Sequence, residues 1–201
     1  MTDHRITVPG LPRWHPDPRV RETIDRIRRF GWAVNAVSDI CEQCEAAGET
    51  PECSFAYTVG LALRGAPELA VYGLPSTTAG AVLNEMSDLL AVEYWKNLVD
   101  DHEEITLDAL DVPVRLIEMV DTLDLIHARA VFPNVPALQV VWTDGKLFFP
   151  WEEGYTLLDD QQPVHGIPDT ASSHRPVGPR VIRSAGGPNR AQRRARKRRR
   201  R

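Results

Sequence analysis

The sequence has few of the features that mark secreted or membrane-spanning proteins. It contains three cysteines, an odd number that argues against a disulfide framework. No apolar run approaches the ~18 residues that a membrane-spanning helix needs. The N-terminus, MTDHRITVPGLPRWHP, lacks the apolar core of a signal peptide. These absences predict a cytoplasmic protein with no membrane contact.

Lysine is also scarce, because only Lys96, Lys146 and Lys197 occur among the 24 basic residues. Acidic residues in turn are missing from the last thirteen positions, which hold nine Arg or Lys. Residues 161–201 carry 12 basic residues and one acid, whereas residues 1–160 carry 12 basic residues and 27 acids. The chain is thus an acidic body of net charge −15 joined to a segment of net charge +11. The nine basic residues of the tail are Arg190, Arg193, Arg194, Arg196, Lys197, Arg198, Arg199, Arg200 and Arg201.

Such dense like charge repels itself in water and predicts a disordered arm. A polycationic arm suits a polyanion, so nucleic acid or the ribosome is the partner that the sequence favours. Two other interpretations stay open. The tail could fold back onto the acidic body as a counter-charge, or it could act only as a solubilising end.

Length and composition predict one folded domain with appendages. Residues 1–16 form a flexible N-terminal arm, and residues 17–158 form an α+β domain. Five prolines and four glycines between residues 159 and 189 predict a linker over 159–188. Residues 189–201 form the basic disordered tail.

Two main helices are predicted from apolar periodicity. The first begins at Pro18 with Asp17 as its cap and ends at Gly31. The second begins at Ser76 and continues to about Leu98. The inward residues are predicted to be Val20, Ile24, Ile27 and Phe30 in the first helix, and Ala79, Val82, Leu83, Met86 and Leu90 in the second.

The strand signals are short runs of β-formers joined by short connections, which favour antiparallel pairing. Asp144-Gly145 lies between two apolar runs and predicts a two-residue hairpin. A short helix is predicted within residues 121–131. The fold class is therefore α+β, an antiparallel or mixed sheet packed by two main helices. The predicted strands are residues 32–37, 54–61, 68–74, 105–107, 112–120, 137–143 and 146–149.

The segments FAYTVGL (55–61), PEL (67–69), GLP (73–75) and LQVVW…FPWEEGY (138–155) resemble domain-of-unknown-function family 4262, which is common in actinobacteria and their phages. The likeness covers roughly residues 30 to 158 and implies a single α+β domain. It implies no activity. Relatives often carry His just before the Pro-Glu-Leu, and this chain has Ala66 there, which puts in doubt any mechanism that needs an imidazole at that position.

Three cysteines raise the question of a metal. Cys41, Cys44 and Cys53 could hold Zn²⁺ with His102 or His127 as a fourth ligand. A single C-x-x-C is a weak signal, and the surrounding carboxylates disfavour the thiolate that redox chemistry needs. Reduced cysteines in a loop, with no cofactor, are the favoured interpretation.

A ligand pocket is the other candidate site, and the acidic, aromatic loop Phe149–Tyr155 motivates it. Such a mixture suits the rim of a cleft better than a core or an open turn. The alternatives are an aromatic core and a structural histidine. The candidate pocket residues are Tyr57, Thr58, His127, Trp142, Trp151 and Glu152.

The sequence shows no nucleophile elbow, phosphate loop or dinucleotide fingerprint, so no catalytic residue is predicted and whether the chain is an enzyme stays open. It favours a non-catalytic accessory or binding domain whose tail contacts nucleic acid non-specifically. One alternative is a small-ligand binder or enzyme with a pocket near Tyr57, His127, Trp142 and Trp151. The other is an acidic protein–protein interaction module.

Overall fold

The computed structural model describes residues 7–37 and 55–168, together with the backbone of residues 182–184. The three cysteines, the basic tail and most of the predicted linker lie outside the described residues. Seven strands form one sheet in the order β1-β2-β3-β6-β5-β4-β7. The strands are β1 (Ala33–Val37), β2 (Phe55–Val59), β3 (Glu68–Tyr72), β4 (Glu104–Leu107), β5 (Leu110–Glu118), β6 (Ala137–Trp142) and β7 (Ile182–Ser184).

The sheet is mixed. β1, β2 and β3 pair antiparallel, as do β6, β5 and β4. The two halves join through a parallel β3–β6 pair, and β7 joins β4 in parallel. A 3₁₀ helix, Leu61–Arg64, and Gly65 connect β2 to β3. The α+β class predicted from the sequence is confirmed.

One face of the sheet is covered by α2 (Ser76–Leu89) and α3 (Trp95–Asp100). Val82, Leu83 and Met86 are fully buried there, as predicted, in a core that includes Ala56 of β2. The single helix predicted to reach Leu98 is wrong, because the chain turns between Leu90 and Tyr94 before α3 begins. That turn lets Leu98 return to the core.

The opposite face is covered by α1 (Pro18–Phe30) and α4 (Ile126–Val131). The Asp17 carboxylate accepts a hydrogen bond from the Arg19 N–H at 2.7 Å, and Gly31 ends α1 with φ 93°. Both caps agree with the prediction. Phe30 does not, because it is 67% exposed. It is the last helical residue, and the chain turns away directly after it.

The hairpin predicted at Asp144-Gly145 is wrong. β6 ends at Trp142, and residues 146–149 form no strand. The buried Asp144 carboxylate instead accepts hydrogen bonds from the backbone N–H groups of Lys146, Phe148 and Thr156, each at 2.9 Å. The Thr156 hydroxyl donates a fourth at 2.6 Å. Four donors on one carboxylate build a wide loop where a two-residue turn was predicted.

The packing of the domain continues past Leu158, where the linker is predicted to begin. Residues 159–168, the strap hereafter, lie against β5 and β6. The buried Gln162 side chain accepts from the Trp142 N–H and donates to the Trp142 carbonyl, each at 2.9 Å. The Gln139 side chain bonds the backbone of Pro163 and His165. At the other end of the chain, Leu11 of the predicted N-terminal arm is buried against the α1 side of the sheet.

Candidate functional site

His127 lies at a polar junction between α1, β1 and α4. Its Nδ1 is 3.1 Å from Thr23 Oγ1 and 3.2 Å from Asn35 Nδ2. Arg26 donates to the Asn35 side-chain oxygen, which leaves the Asn35 amide N–H to face the ring. Nδ1 is therefore an acceptor, and these contacts assign the His127 proton to Nε2.

Burial lowers the pKa of His127 below its ordinary value. The Asp17 carboxylate opposes this shift, while the Arg26 and Arg19 guanidinium groups and His15 add to it. A protonated ring would also point an N–H at the Asn35 amide N–H. The junction therefore holds a neutral imidazole that joins four elements of the fold, because Tyr57 of β2 also takes part.

Tyr57 and His127 are the two predicted pocket residues that the structure brings into hydrogen-bonding contact. The Tyr57 hydroxyl accepts from the His127 backbone N–H at 3.2 Å. The ring of Tyr57 starts a stack that continues through Phe55, Tyr72 and His165, with centroid distances of 5.9, 5.1 and 4.5 Å. Burial, with the Asp124 and Asp121 carboxylates, raises the pKa of the Tyr72 hydroxyl. The stack is a row of aromatic rings across the α1 side of the sheet.

Thr58 points to the other side of β2, where it meets Glu68. The Thr58 hydroxyl donates to the Glu68 carboxylate at 2.7 Å, and the Gly60 and Ala62 N–H groups donate at 2.8 and 3.2 Å. Glu68 is fully buried, and burial raises its pKa against the effect of these hydrogen bonds. The carboxylate closes the turn between β2 and β3. Glu68 was not among the residues predicted from the sequence, although an acid inside an apolar strand is a recognisable signal.

Trp142, Trp151 and Glu152 belong to other parts of the domain. The Trp142 indole N–H donates to the Tyr72 carbonyl at 3.0 Å, and its ring packs on the α2 side. Trp151 stacks on the buried Phe149 with centroids 5.1 Å apart, and Glu152 accepts from the Phe149 N–H at 2.8 Å. Tyr57, Trp142 and Trp151 therefore pack in three different clusters. Binding of a ligand by these residues stays a prediction.

A cavity of about 460 Å³ opens where the segments that lead into β3 and β6 meet Trp95 of α3. The lining is mostly apolar, with the Asn134 amide and the Trp95 indole as the side chains that carry polar groups, and the volume falls in the range of small-molecule sites. None of the predicted pocket residues lines it. Ala66, which the family resemblance singled out, does. The lining residues are Ala62, Gly65, Ala66, Pro67, Trp95, Phe132, Pro133, Asn134, Val135 and Pro136.

Charge is distributed unevenly along the described domain. Residues 76–111, which form α2, α3, β4 and their turns, are called the acidic face below; they contain nine carboxylates and one basic residue, Lys96. α1, on the opposite side, contains five arginines. The carboxylates are Glu85, Asp88, Glu93, Asp100, Asp101, Glu103, Glu104, Asp108 and Asp111.

Within residues 7–37 and 55–168, no three His, Cys, Asp or Glu side chains form a group that could hold a metal ion. The zinc hypothesis for Cys41, Cys44 and Cys53 lies outside these ranges and stays a prediction. No described helix is long and apolar enough to cross a membrane.

Comparison with known proteins identifies a family. A family model described as "Domain of unknown function (DUF4262)" matches residues 26–156. The matched region includes His127, Glu68 and the whole lining of the cavity. No curated protein and no solved structure matches the chain significantly.

Proposed function

The chain belongs to the DUF4262 family of domains of unknown function, and we propose that it is a non-catalytic binding protein whose basic tail contacts nucleic acid without sequence preference. The observation that carries the proposal is the charge of residues 189–201, with nine basic residues and no acid. A segment with this density of positive charge releases the counterions condensed on a phosphate backbone, and this release is the main source of non-specific affinity.

The described domain supports a binding role because its interior polar groups serve the fold. Glu68 and Asp144 each accept several hydrogen bonds from nearby backbone N–H groups. His127 accepts a hydrogen bond at Nδ1, the ring nitrogen that faces Thr23 and Asn35. Groups used in this way hold elements together, and a general acid or base would instead need an open path to a substrate.

The experiment compares the full chain with a full-length variant in which all nine basic residues of the tail are glutamine. Binding to a fluorescent 20-base-pair duplex is measured by anisotropy at low salt. We expect the variant to lose affinity by at least about a hundredfold, because the phosphate contacts disappear. Equal affinities would contradict the proposal. A control removes three positive charges elsewhere: the exposed Arg13, Arg19 and Arg29 become glutamine, and its affinity should stay close to that of the unchanged chain.

A second candidate function is binding of a small, uncharged ring compound, and the cavity beside Ala66 is the observation that favours it. Benzyl alcohol is a suitable probe, because its ring fits an apolar lining and its hydroxyl can bond the Asn134 amide. Amide shifts of residues 132–137 should move on titration. Ala66→Phe, which fills the cavity, should abolish the change, while Ala91→Phe on an exposed turn should not.

If Ala66→Phe leaves the benzyl alcohol titration unchanged, the cavity is not where this probe binds. The candidate pocket near Tyr57, His127, Trp142 and Trp151 makes a different prediction, namely that amide shifts would move around those residues. The two patterns of shifts separate the two locations.

A further inference from the structure

The acidic face presents carboxylates to solvent along its whole length. Asp88 lies on α2, Asp100 and Asp101 end α3, and Asp108 and Asp111 lie in and just after the β4–β5 turn; all five are exposed. The Glu85 carboxylate accepts from the Asp108 N–H at 2.7 Å, which fixes α2 beside that turn. α2 and the β4–β5 turn are therefore adjacent parts of the surface.

The C-terminal part of the chain is attached to the edge of this surface. β7 pairs in parallel with β4, so that Glu104, Ile105 and Thr106 lie opposite residues 182, 183 and 184. Because the two strands run in the same direction, the chain leaves β7 beside Thr106. The C-terminal end of β7 therefore lies towards the end of β4 that leads into the turn with Asp108.

The spacing along the chain keeps the tail close to that turn. Four residues, 185–188, separate β7 from the tail. Fully extended, four residues span at most about 14 Å, and the thirteen residues of the tail span at most about 45 Å. The start of the tail is thus tethered close to the end of β7, beside β4, and the tail is long enough to extend along neighbouring elements.

We propose that the acidic face is the docking surface of the chain's own basic tail, and that nucleic acid must displace it to bind. The second half of this statement rests on the function proposed above. Single exposed ion pairs contribute little, but several act together here. The tether also holds the tail at an effective concentration in the millimolar range. Salt weakens the contact, because the charges are exposed.

The first experiment tests docking without nucleic acid. Amide spectra of the full chain are compared with those of the full-length variant whose nine tail residues are glutamine. We expect different shifts at Asp88, Asp100, Asp101, Asp108 and Asp111 at low salt, and convergence of the two spectra at about 0.5 M salt. The amides of α1 should coincide throughout. Identical spectra over the acidic face at low salt would overturn the docking proposal.

The second experiment tests the competition. The five exposed aspartates of the acidic face are changed to asparagine, and duplex affinity is expected to rise about three- to tenfold, because the free fraction of the tail increases. A charge-matched control changes five exposed acids elsewhere. Its affinity should rise clearly less. The control positions are Asp121, Asp124, Glu153, Asp159 and Asp160.

The outcomes separate the two proposals. If both five-site variants bind DNA equally well, the change in net charge alone explains the rise in affinity. The proposal that the acidic face competes with nucleic acid for the tail is then overturned. If the unchanged chain binds no DNA while the spectral differences persist, docking stands and the nucleic-acid function fails. If the spectra coincide while DNA binds through the tail, the function stands and docking fails.

Discussion

At the scale of single residues, buried polar groups hold the loops and junctions of this domain. Asp144 is the clearest case, because its two carboxylate oxygens take four hydrogen bonds from a loop that spans twelve residues. Burial by itself raises the pKa of this carboxyl. The hydrogen bonds from Thr156, Phe148 and Lys146 outweigh burial and hold the pKa below its usual value. The loop therefore stabilises the ionised form of Asp144.

Asp144→Asn should therefore destabilise the domain by roughly 2–4 kcal/mol, because an amide nitrogen would face backbone N–H donors. Urea denaturation measures the change in the free energy of unfolding. The exposed Asp159 provides the control, and Asp159→Asn should change stability by less than about 0.5 kcal/mol. Equal effects of the two substitutions would mean that the loop does not depend on its central carboxylate.

His127 makes the stability depend on pH. Its pKa is lowered in the folded state, so the unfolded chain takes up a proton first as the pH falls. The neutral imidazole makes its full contribution to the free energy of unfolding above the unfolded pKa of about 6.5. This contribution is lost as the pH falls below that value. The free energy of unfolding should consequently decrease between about pH 6.5 and 5.

His127→Gln should remove that part of the pH dependence. The difference between the urea stabilities of the unchanged chain and the variant, followed from pH 8 to pH 5, isolates this one group from the other histidines. A difference that shrinks towards low pH agrees with a histidine held neutral. A difference that grows would show that the folded protein favours the charged ring.

At the scale of elements, helices with a clear apolar face were predictable, and the loop after β6 was not. The caps of α1 and the inward face of α2 follow from local spacing. The prediction of a hairpin at Asp144-Gly145 was wrong because Asp144 is hydrogen-bonded to Thr156. That residue is too distant in sequence to be considered when a two-residue turn is predicted. The polar junction was predicted in part. Tyr57 and His127 were named, but Thr23, Arg26 and Asn35 come from helix and strand positions with no motif.

The buried stripe of α2 has a direct test. Leu83→Ala should lower the free energy of unfolding by roughly 2–5 kcal/mol, because Leu83 is completely buried between α2 and the sheet. Val92→Ala, at a residue that is 78% exposed, is the control and should stay within about 0.5 kcal/mol. A loss below about 1 kcal/mol at Leu83 would mean that the site collapses without a cavity.

The strap is the element that the sequence assigned to a linker. Gln162 is 2% exposed and bonds both backbone groups of Trp142 as well as the Tyr155 hydroxyl. Gln162→Ala should cost about 1–3 kcal/mol, because those groups lose their partners inside the protein. Gln161→Ala, at the exposed neighbour, should cost clearly less in the same urea titration. Equal costs would indicate that the strap contributes no specific contact.

At the scale of the whole molecule, the separation of charge along the chain is the main functional clue, and it was visible in the sequence. Residues 1–160 and 161–201 differ by 26 units of net charge, from −15 to +11. The closeness of the acidic helix α2 to the β4–β5 turn was not visible, because it depends on how α2 and β4 assemble. The pairing of β7 with β4 joins three residues to a strand 78 positions earlier, and local patterns do not encode such pairings.

The salt dependence of duplex binding tests the central claim most directly. Each phosphate contact contributes about −0.9 to the slope of log K against log salt, so nine basic residues predict a slope between about −5 and −8 for the full chain. The variant with a neutral tail should show a slope near zero over the same range. A full-chain slope shallower than about −2, or equal slopes for the two proteins, would contradict nucleic-acid binding through residues 189–201.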